Sequence, residues 1–320
     1  MWQIGKSGRG VAGLTVVIII VFFFLLGTIV GSFLNVCITR IPEGISIVSP
    51  SSRCPRCGTP IKPYDNVPVF AWMWLRGKCR ACGAPISAMY PAIELTTGLL
   101  FVATFHEFGL TQTTLKWLVF TCLILVLTVT DLRVRLLPDL VNWPGFAAGL
   151  LFSAFVPPDH GFMRYLLWRL SHRVVPEYAA GLIDAALGAA FGSFLLWGLA
   201  ALYKVARGRE GMGMGDVKMM AMVGAFLGLR GTFLTILVGS LLGSVIGLSL
   251  VLALYFGGWK SALAKRASRR GLGAERTLRW SIASQYQLPL GTFLGAGALL
   301  IVYAVPLLAA HWPIFSGIVV

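Results

Sequence analysis

Two aspartates in this 320-residue chain lie at the ends of strongly apolar segments, where carboxylates are unusual. Asp131 follows the run LVFTCLILVLTVT, and Asp216 lies in GMGMGDVKMM, just before another apolar run. An ionisable residue in such a segment usually faces protein or a water-filled cavity. If the two carboxyls meet, one can hold a proton while the other activates water, which hydrolyses peptide bonds without a metal. Spacing alone leaves two alternatives open: unrelated interfacial aspartates, and a helix cap at Asp216.

The glycines before Asp216 could instead form a phosphate-binding loop. Such a loop follows a strand and precedes an amphipathic helix, and a P-loop ends in Gly-Lys-Ser/Thr. Here the basic stretch KVARGRE precedes the glycines and the apolar MMAMVGAFLGL follows them. Gly213 and Gly215 are therefore predicted to let the backbone turn at the membrane surface, leaving Asp216 in the first turn of the next helix.

Four cysteines form two Cys-x-x-Cys pairs, Cys54 with Cys57 in SRCPRCG and Cys79 with Cys82 in KCRACG. A two-residue gap lets both thiolates of a pair bind one tetrahedral ion, so the spacing predicts a zinc site. Two disulfides are the competing interpretation, and they require an oxidising compartment. Four protein ligands leave no open coordination position, which makes the predicted zinc structural rather than catalytic. Two further cysteines lie in apolar runs and are predicted to be packing residues: Cys37 and Cys122.

The composition indicates the elements that position these residues. Hydrophobic residues make up 57% of the chain and charged residues 12%, and the mean hydropathy is +0.80, as in a polytopic membrane protein. The fold class is predicted to be all-α, with about eight transmembrane helices and a small zinc-binding insert between helices 1 and 2. The sixth helix is the shortest, with basic residues at both ends. The predicted segments are 11–37, 88–106, 114–130, 139–156, 179–203, 217–229, 232–258 and 288–310.

The first segment is predicted to be a retained signal anchor. The predicted domains are 1–37 with the first helix, 38–87 as the zinc-binding insert, 88–310 as the transmembrane domain and 311–320 as a tail.

The basic residues predict the orientation. If 38–87 is cytoplasmic and eight helices alternate, most of the 27 lysines and arginines fall on that side. The net charge of +15 then suits a cytoplasmic face against anionic lipid. We find no nucleic-acid-binding motif in the sequence, and no nucleic acid partner is expected.

Four ordered blocks resemble the type IV prepilin peptidases, bacterial membrane aspartic proteases of the Gly-x-Gly-Asp group. The likeness extends from about residue 27 to 300. The blocks are GSFLNVCITRIP at 31–42, YPAIELTTGLLF at 90–101, TDLRVRLLPDL at 130–140 and GMGDVKMMAMVGAFLG at 213–228. The chain departs from the family in having Arg53 where a histidine is common, and Pro-Leu-Gly-Thr at 289–292 where Pro-Phe-Gly-Pro is common.

The resemblance implies a catalytic pair, Asp131 and Asp216, with Gly213 and Gly215 as the hinge and Lys218 in the same block. It implies zinc bound by the four paired cysteines, and methylation of the new amino terminus with S-adenosylmethionine. Prepilin or pseudopilin precursors, of type IV pili or type II secretion, would be cleaved at the cytoplasmic side of the bacterial inner membrane. Two further acids are possible functional residues: Glu94 and Asp139.

A transporter with a protonatable aspartate pair and a regulatory zinc insert is the alternative function. Aspartates in a proton path commonly lie near mid-membrane within inverted repeats. Both acids here lie at helix ends, and the sequence shows no convincing internal repeat. The peptidase is therefore favoured.

Overall fold

The chain folds as a bundle of helices in the computed structural model, which describes residues 6–157, 162–172, 174–208, 211–256 and 289–311. Within these ranges, the only β-structure is two isolated bridges in the insert, Arg53 with Pro60 and Lys78 with Pro85. The predicted all-α class is confirmed. The helices are α1 (Lys6–Arg40), α2 (Phe70–Trp74), α3 (Met89–Phe108), α4 (Gln112–Val134), α5 (Asp139–Phe155), α6 (Phe162–Ser171), α7 (Glu177–Arg207), α8 (Met214–Phe256) and α9 (Leu290–His311).

Four stretches of these helices are long and apolar enough to cross a membrane. They are Leu14–Arg40, Gln112–Val134, Glu177–Arg207 and Met214–Ser249, and Leu290–Pro306 is a shorter apolar helix. The predicted sixth and seventh segments both belong to α8, which bends at Gly228 (φ 69°, ψ −171°). This backbone conformation is open essentially to glycine alone, so the bend is fixed by the sequence. The short α6 was not predicted.

The first half of α8 lies at the centre of the bundle. Its side chains from Met219 to Leu227 are buried almost all round, including Met222 and Phe226, which are fully buried. A helix that is apolar on every face must be surrounded by protein or lipid, and here protein surrounds it. It packs closely on α7, because a Cβ at Gly224 would lie only 2.3 Å from the carbonyl carbon of Gly188.

Helices α1 and α3 pair beside this core. A Cβ at Gly31 would lie 2.8 Å from the Cα of Glu94, so the two backbones approach closely. The Asn35 side chain of α1 donates to the carbonyl of Tyr90 in α3 at 3.0 Å. The two helices that flank the insert are thus joined directly at its base.

Some predicted features lie outside the described residues. They are residues 1–5 of the first predicted domain, the connection 259–287 between the last two predicted helices and residues 312–320 of the predicted tail.

Candidate active site

The two aspartates lie at opposite ends of two helices, one at the end of α4 and the other at the start of α8. Asp131 lies in the last turn of α4, which ends where Arg135 adopts a left-handed conformation (φ 55°) and donates its N–H to the Asp131 carbonyl at 2.9 Å. Asp216 lies in the first turn of α8, and its N–H donates to the Gly213 carbonyl at 3.2 Å. Both are buried, with 6% and 8% of their surface exposed. Both side chains are therefore enclosed by protein at fixed positions on their helices.

The two carboxyls meet beside Gly291, in the first turn of α9. A Cβ at Gly291 would lie 3.0 Å from Asp131 Oδ2 and 3.0 Å from Asp216 Oδ1, so these oxygens are separated by at most twice that distance. A point at this distance from both oxygens is within hydrogen-bonding reach of each. Because residue 291 has no side chain, the backbone of α9 can come this close to both carboxyls without displacing them.

Thr292 contacts Asp131 directly. Its backbone N–H donates to Asp131 Oδ2 at 2.7 Å, and its hydroxyl lies 3.0 Å from the same oxygen. The hydroxyl also lies 3.3 Å from the carbonyl of Thr128. Sequence reasoning missed the roles of Gly291 and Thr292. The available signal was the stretch 289–292, which stood out only as a departure from the family pattern.

Leu137 packs against two glycines at the site, Gly215 and Gly291. A Cβ at Gly215 would lie 2.9 Å from the Leu137 Cβ, and one at Gly291 would lie 3.0 Å from the Leu137 Cδ1. Neither Gly213 nor Gly215 has a positive φ. Gly215 is therefore required by close packing against Leu137 and not by an unusual backbone turn. A Cβ at Gly213 would meet nothing closer than 3.9 Å.

The remaining predicted polar residues lie around the pair rather than in it. Lys218 donates to both carboxylate oxygens of Asp139 at 2.7 and 2.8 Å, which ties the start of α8 to the start of α5. Glu94 accepts the N–H of Val69 at 2.7 Å, which ties α3 to the insert. Val69 has φ 62°, a strained conformation for a β-branched residue, and this bond helps to hold it. No described contact joins either acid to the aspartate pair.

The four paired cysteines come together in the insert. Their Sγ atoms all lie within 4.8 Å of one another, and those of Cys54 and Cys82 are 3.9 Å apart. Zinc–sulfur bonds of about 2.3 Å in a tetrahedron place neighbouring sulfurs about 3.8 Å apart, so the spacing fits a zinc ion. In each pair the following glycine, Gly58 or Gly83, has a positive φ, and its N–H donates to the first cysteine's carbonyl at 2.9 Å.

The surroundings of two of the four cysteines favour thiolates. Hydrogen bonding with Thr59 lowers the pKa of the Cys57 thiol to about 6. Backbone hydrogen bonds from Cys82 and Ala81 lower the pKa of Cys79. Deprotonated thiols are the form that binds metal. Beside them, Arg80 donates twice to the Asp65 carboxylate, which lowers the pKa of that carboxyl and braces the insert.

Comparison with protein families finds two matches in the chain. Residues 25–108 match the bacterial peptidase A24 N-terminal domain, and residues 118–248 match the type IV leader peptidase family. The first match contains the insert with its four cysteines. The second contains Asp131 and Asp216.

Several proteins with the name prepilin leader peptidase/N-methyltransferase are similar over most of the chain. The protein of Aeromonas hydrophila is 37% identical over 253 residues, 72% of this chain and 80% of its own. That of Myxococcus xanthus is 40% identical over 235 residues, 73% of this chain and 63% of its own. That of Pseudomonas aeruginosa is 35% identical over 246 residues, 70% of this chain and 78% of its own. No solved structure matches the chain.

Proposed function

Because the chain belongs to the type IV leader peptidase family, we propose that it is a membrane aspartic endopeptidase that cleaves the basic leader from prepilin or pseudopilin precursors. The observation that carries this proposal is the approach of Asp131 and Asp216 to one point beside Gly291. Two buried carboxyls this close share one proton, since like charges side by side disfavour ionisation of both. That is the state an aspartic protease needs at neutral pH.

The chemistry follows from this shared proton. A water molecule beside Gly291 gives its proton to the ionised carboxylate as its oxygen attacks the scissile carbonyl carbon. The protonated carboxyl meanwhile gives its proton to the carbonyl oxygen. As the tetrahedral intermediate collapses, the C–N bond breaks and the leaving nitrogen receives a proton from the carboxyl that took one from water. One hydroxyl of the intermediate returns its proton to the other carboxylate as the carbonyl forms again. The pair is then ready to share one proton again.

The location of the pair suits the proposed substrate class. A precursor with a short basic leader followed by an apolar helix has its scissile bond at the membrane surface. Both aspartates lie at helix ends, where such a bond would arrive. We propose that the chain crosses a bacterial inner membrane eight times, in contact with its lipid, with this site on the cytoplasmic side. The basic residues of the insert favour that side.

The zinc site is proposed to be structural. The insert is small and has few buried apolar residues, so it gains much of its stability from the metal. Four cysteine ligands complete the coordination of the ion, so the zinc holds the insert in shape.

The relatives' names also include an N-methyltransferase, and we propose that this chain methylates the new amino terminus. S-adenosylmethionine would supply the methyl group. The described insert does not show a fitting site for it: a carboxylate commonly binds ribose hydroxyls, but here Asp65 is engaged by Arg80 and Glu43 is exposed.

The relatives do not favour the transporter alternative, since those compared all carry the peptidase name. Co-expression with a prepilin tests the proposal directly. The mass and amino-terminal sequence of the recovered pilin should show loss of the leader, and an added methyl group would show the second activity. An intact leader in cells that contain the folded protein would contradict the peptidase.

A further inference from the structure

The two carboxyls of the pair have unequal hydrogen-bond partners. Asp131 Oδ2 accepts the backbone N–H of Thr292 and faces its hydroxyl, at 2.7 and 3.0 Å. Among the residues that the structure describes, we find no hydrogen-bond donor to the Asp216 carboxylate. Donors that point at a carboxylate stabilise its ionised form. The single proton of the pair is therefore not shared evenly.

We propose that Thr292 determines which aspartate is the base: it holds Asp131 ionised, so Asp131 activates water and Asp216 carries the proton given to the scissile carbonyl. Thr292 is a positioning residue, since it acts through Asp131. This inference rests on the proposed peptidase function. It states which aspartate is the base and which is the proton donor, and the closeness of the two carboxyls alone does not decide this.

The backbone N–H of Thr292 is the firmer of the two donors. It lies in the first turn of α9, where backbone N–H groups have no partner within the helix. An N–H can only donate, so it favours negative charge at Oδ2. The hydroxyl has one proton and two acceptors within reach, and Asp131 Oδ2 is nearer than the Thr128 carbonyl, at 3.0 against 3.3 Å. The ionised carboxylate is also the stronger acceptor.

The helix ends near the pair favour negative charge on one aspartate in some cases and on the other aspartate in others. The start of α8 favours negative charge on Asp216, and the end of α4 disfavours it on Asp131, whereas the start of α9 favours it on Asp131. At Asp131 the effects of the α4 end and the α9 start oppose each other. The effect that remains is that of the α8 start, which favours negative charge on Asp216. Two direct hydrogen bonds to a charged oxygen outweigh one helix end.

The other charged groups near the pair do not reverse this assignment. Arg135, at the end of α4, attracts the Asp131 carboxylate. Lys218 of α8 and Asp139 of α5 neutralise each other. In the described part of α9, the residues nearest the pair, Leu290 to Thr292, carry no charge.

A graded series at Thr292 tests the assignment. Thr292→Ser keeps both donors, Thr292→Val keeps only the N–H, and Thr292→Pro removes both while a proline remains acceptable in a first helical turn. The readout is the pH dependence of kcat/KM for cleavage of a purified prepilin by the full-length protein in lipid. The acidic limb of this profile reports the base in its ionised form.

We expect Thr292→Ser to match the parent protein. In Thr292→Val the acidic limb should move by about one pH unit toward higher pH, with about tenfold lower kcat/KM below it and a smaller change at neutral pH. Thr292→Pro should move the limb further in the same direction. A purely structural role of Thr292 would instead lower the rate equally at all pH values.

Two other outcomes are distinguishable. If the parent protein cleaves prepilin and Thr292→Val has an unchanged acidic limb, the assignment is wrong while the peptidase function stands. If the well-folded parent protein does not cleave at any pH, the peptidase function fails and takes the assignment with it.

Discussion

At the scale of single residues, the aspartates could be found from sequence and their partners could not. Asp131 and Asp216 stand out because carboxylates are rare at the ends of apolar helices. Thr292 is an ordinary polar residue, and its contact with Asp131 joins positions 161 residues apart. No periodicity or spacing indicates such a contact. The same holds for Leu137, which is one leucine among many until the packing against Gly215 is known.

The two glycines before Asp216 are expected to differ in their tolerance of a side chain. Gly215→Val should lower cleavage at least about tenfold, because the new side chain would displace Leu137 and with it the geometry of the pair. Gly213→Ala is the matched control, since its Cβ has room. Rates of prepilin cleavage at equal protein levels provide the measurement. Equal loss in both variants would point instead to the backbone turn.

Gly291→Ala is expected to impair the reaction itself. Its methyl carbon would lie 3.0 Å from one oxygen of each carboxyl and would crowd the space in which we place the attacking water. Cleavage should fall by on the order of 10²-fold, since small misplacements at a reacting centre have effects of this size. Zinc content and thermal stability, measured on the same purified variant, should stay close to those of the parent. Parent-like cleavage would place the water elsewhere.

At the scale of elements, the short sixth helix shows where sequence reasoning was incomplete. As a separate membrane crossing, the segment 217–229 would require thinned lipid or basic side chains that reach the surface. In the structure this segment is the first half of α8, before the bend at Gly228, and other helices surround it, so a crossing by this segment needs no such adjustment. Lys218 pairs with Asp139 instead of reaching for lipid. This pair is partly exposed, at 31% and 56% of the side chains, so it contributes only about 0–1 kcal/mol.

The bend within α8 has a partner that the sequence did not indicate. At Gly228 the helix is broken, and the freed N–H of Leu229 donates to the Asp184 carboxylate of α7 at 3.0 Å. Asp184 is buried, with 1% of its surface exposed. Hydropathy locates both helices, but it does not reveal a bond between a side chain and a backbone group 45 residues away.

The insert is expected to depend on its metal. Purified protein should contain about one zinc per chain, as four thiolates bind one ion. The double variant Cys54→Ser with Cys57→Ser should lose this zinc and become more sensitive to proteolysis within 38–87. Cleavage should survive in part, because no described contact joins the cysteines to the aspartates. The measurement is metal content by mass spectrometry, and Cys37→Ser is the control that should keep its zinc.

At the scale of the whole molecule, the composition and the ordered motifs of the sequence predict the fold class and the family, whereas the lengths of the helices do not by themselves give the number of membrane crossings. The all-α class follows from hydropathy alone, and the order of the motif blocks identifies the family, which the comparisons confirm. Four helical stretches are individually long and apolar enough to cross a membrane, fewer than the eight predicted crossings. Two of the four missing crossings arise because α5 has only 17 residues and α8 combines two predicted segments. The other two are α3, which is not among these four stretches, and the shorter apolar stretch Leu290–Pro306 of α9. Amphipathic α6 is too short and polar to register as an apolar segment.

The proposed topology predicts opposite sides for two exposed connections. Alkaline phosphatase fused after Val174, between α6 and α7, should be active, because that side is proposed to be outside the cytoplasm and phosphatase needs its disulfides. The same enzyme fused after Gly208, at the end of α7, should be inactive. Phosphatase activity normalised to fusion level gives the answer. Activity of both fusions would contradict the charge-based orientation.

The central claim is that Asp131 and Asp216 act together as one catalytic unit, and the rate of prepilin cleavage in a double-mutant cycle tests it most directly. Asparagine keeps the shape of aspartate and caps a helix about as well, so Asp131→Asn and Asp216→Asn should fold and retain their zinc. Each should lower cleavage by on the order of 10³-fold or more, and the double variant should be little worse than either single one, because residues that act as a unit are not additive. Cleavage at the parent rate by well-folded Asp216→Asn or Asp131→Asn protein would contradict the account.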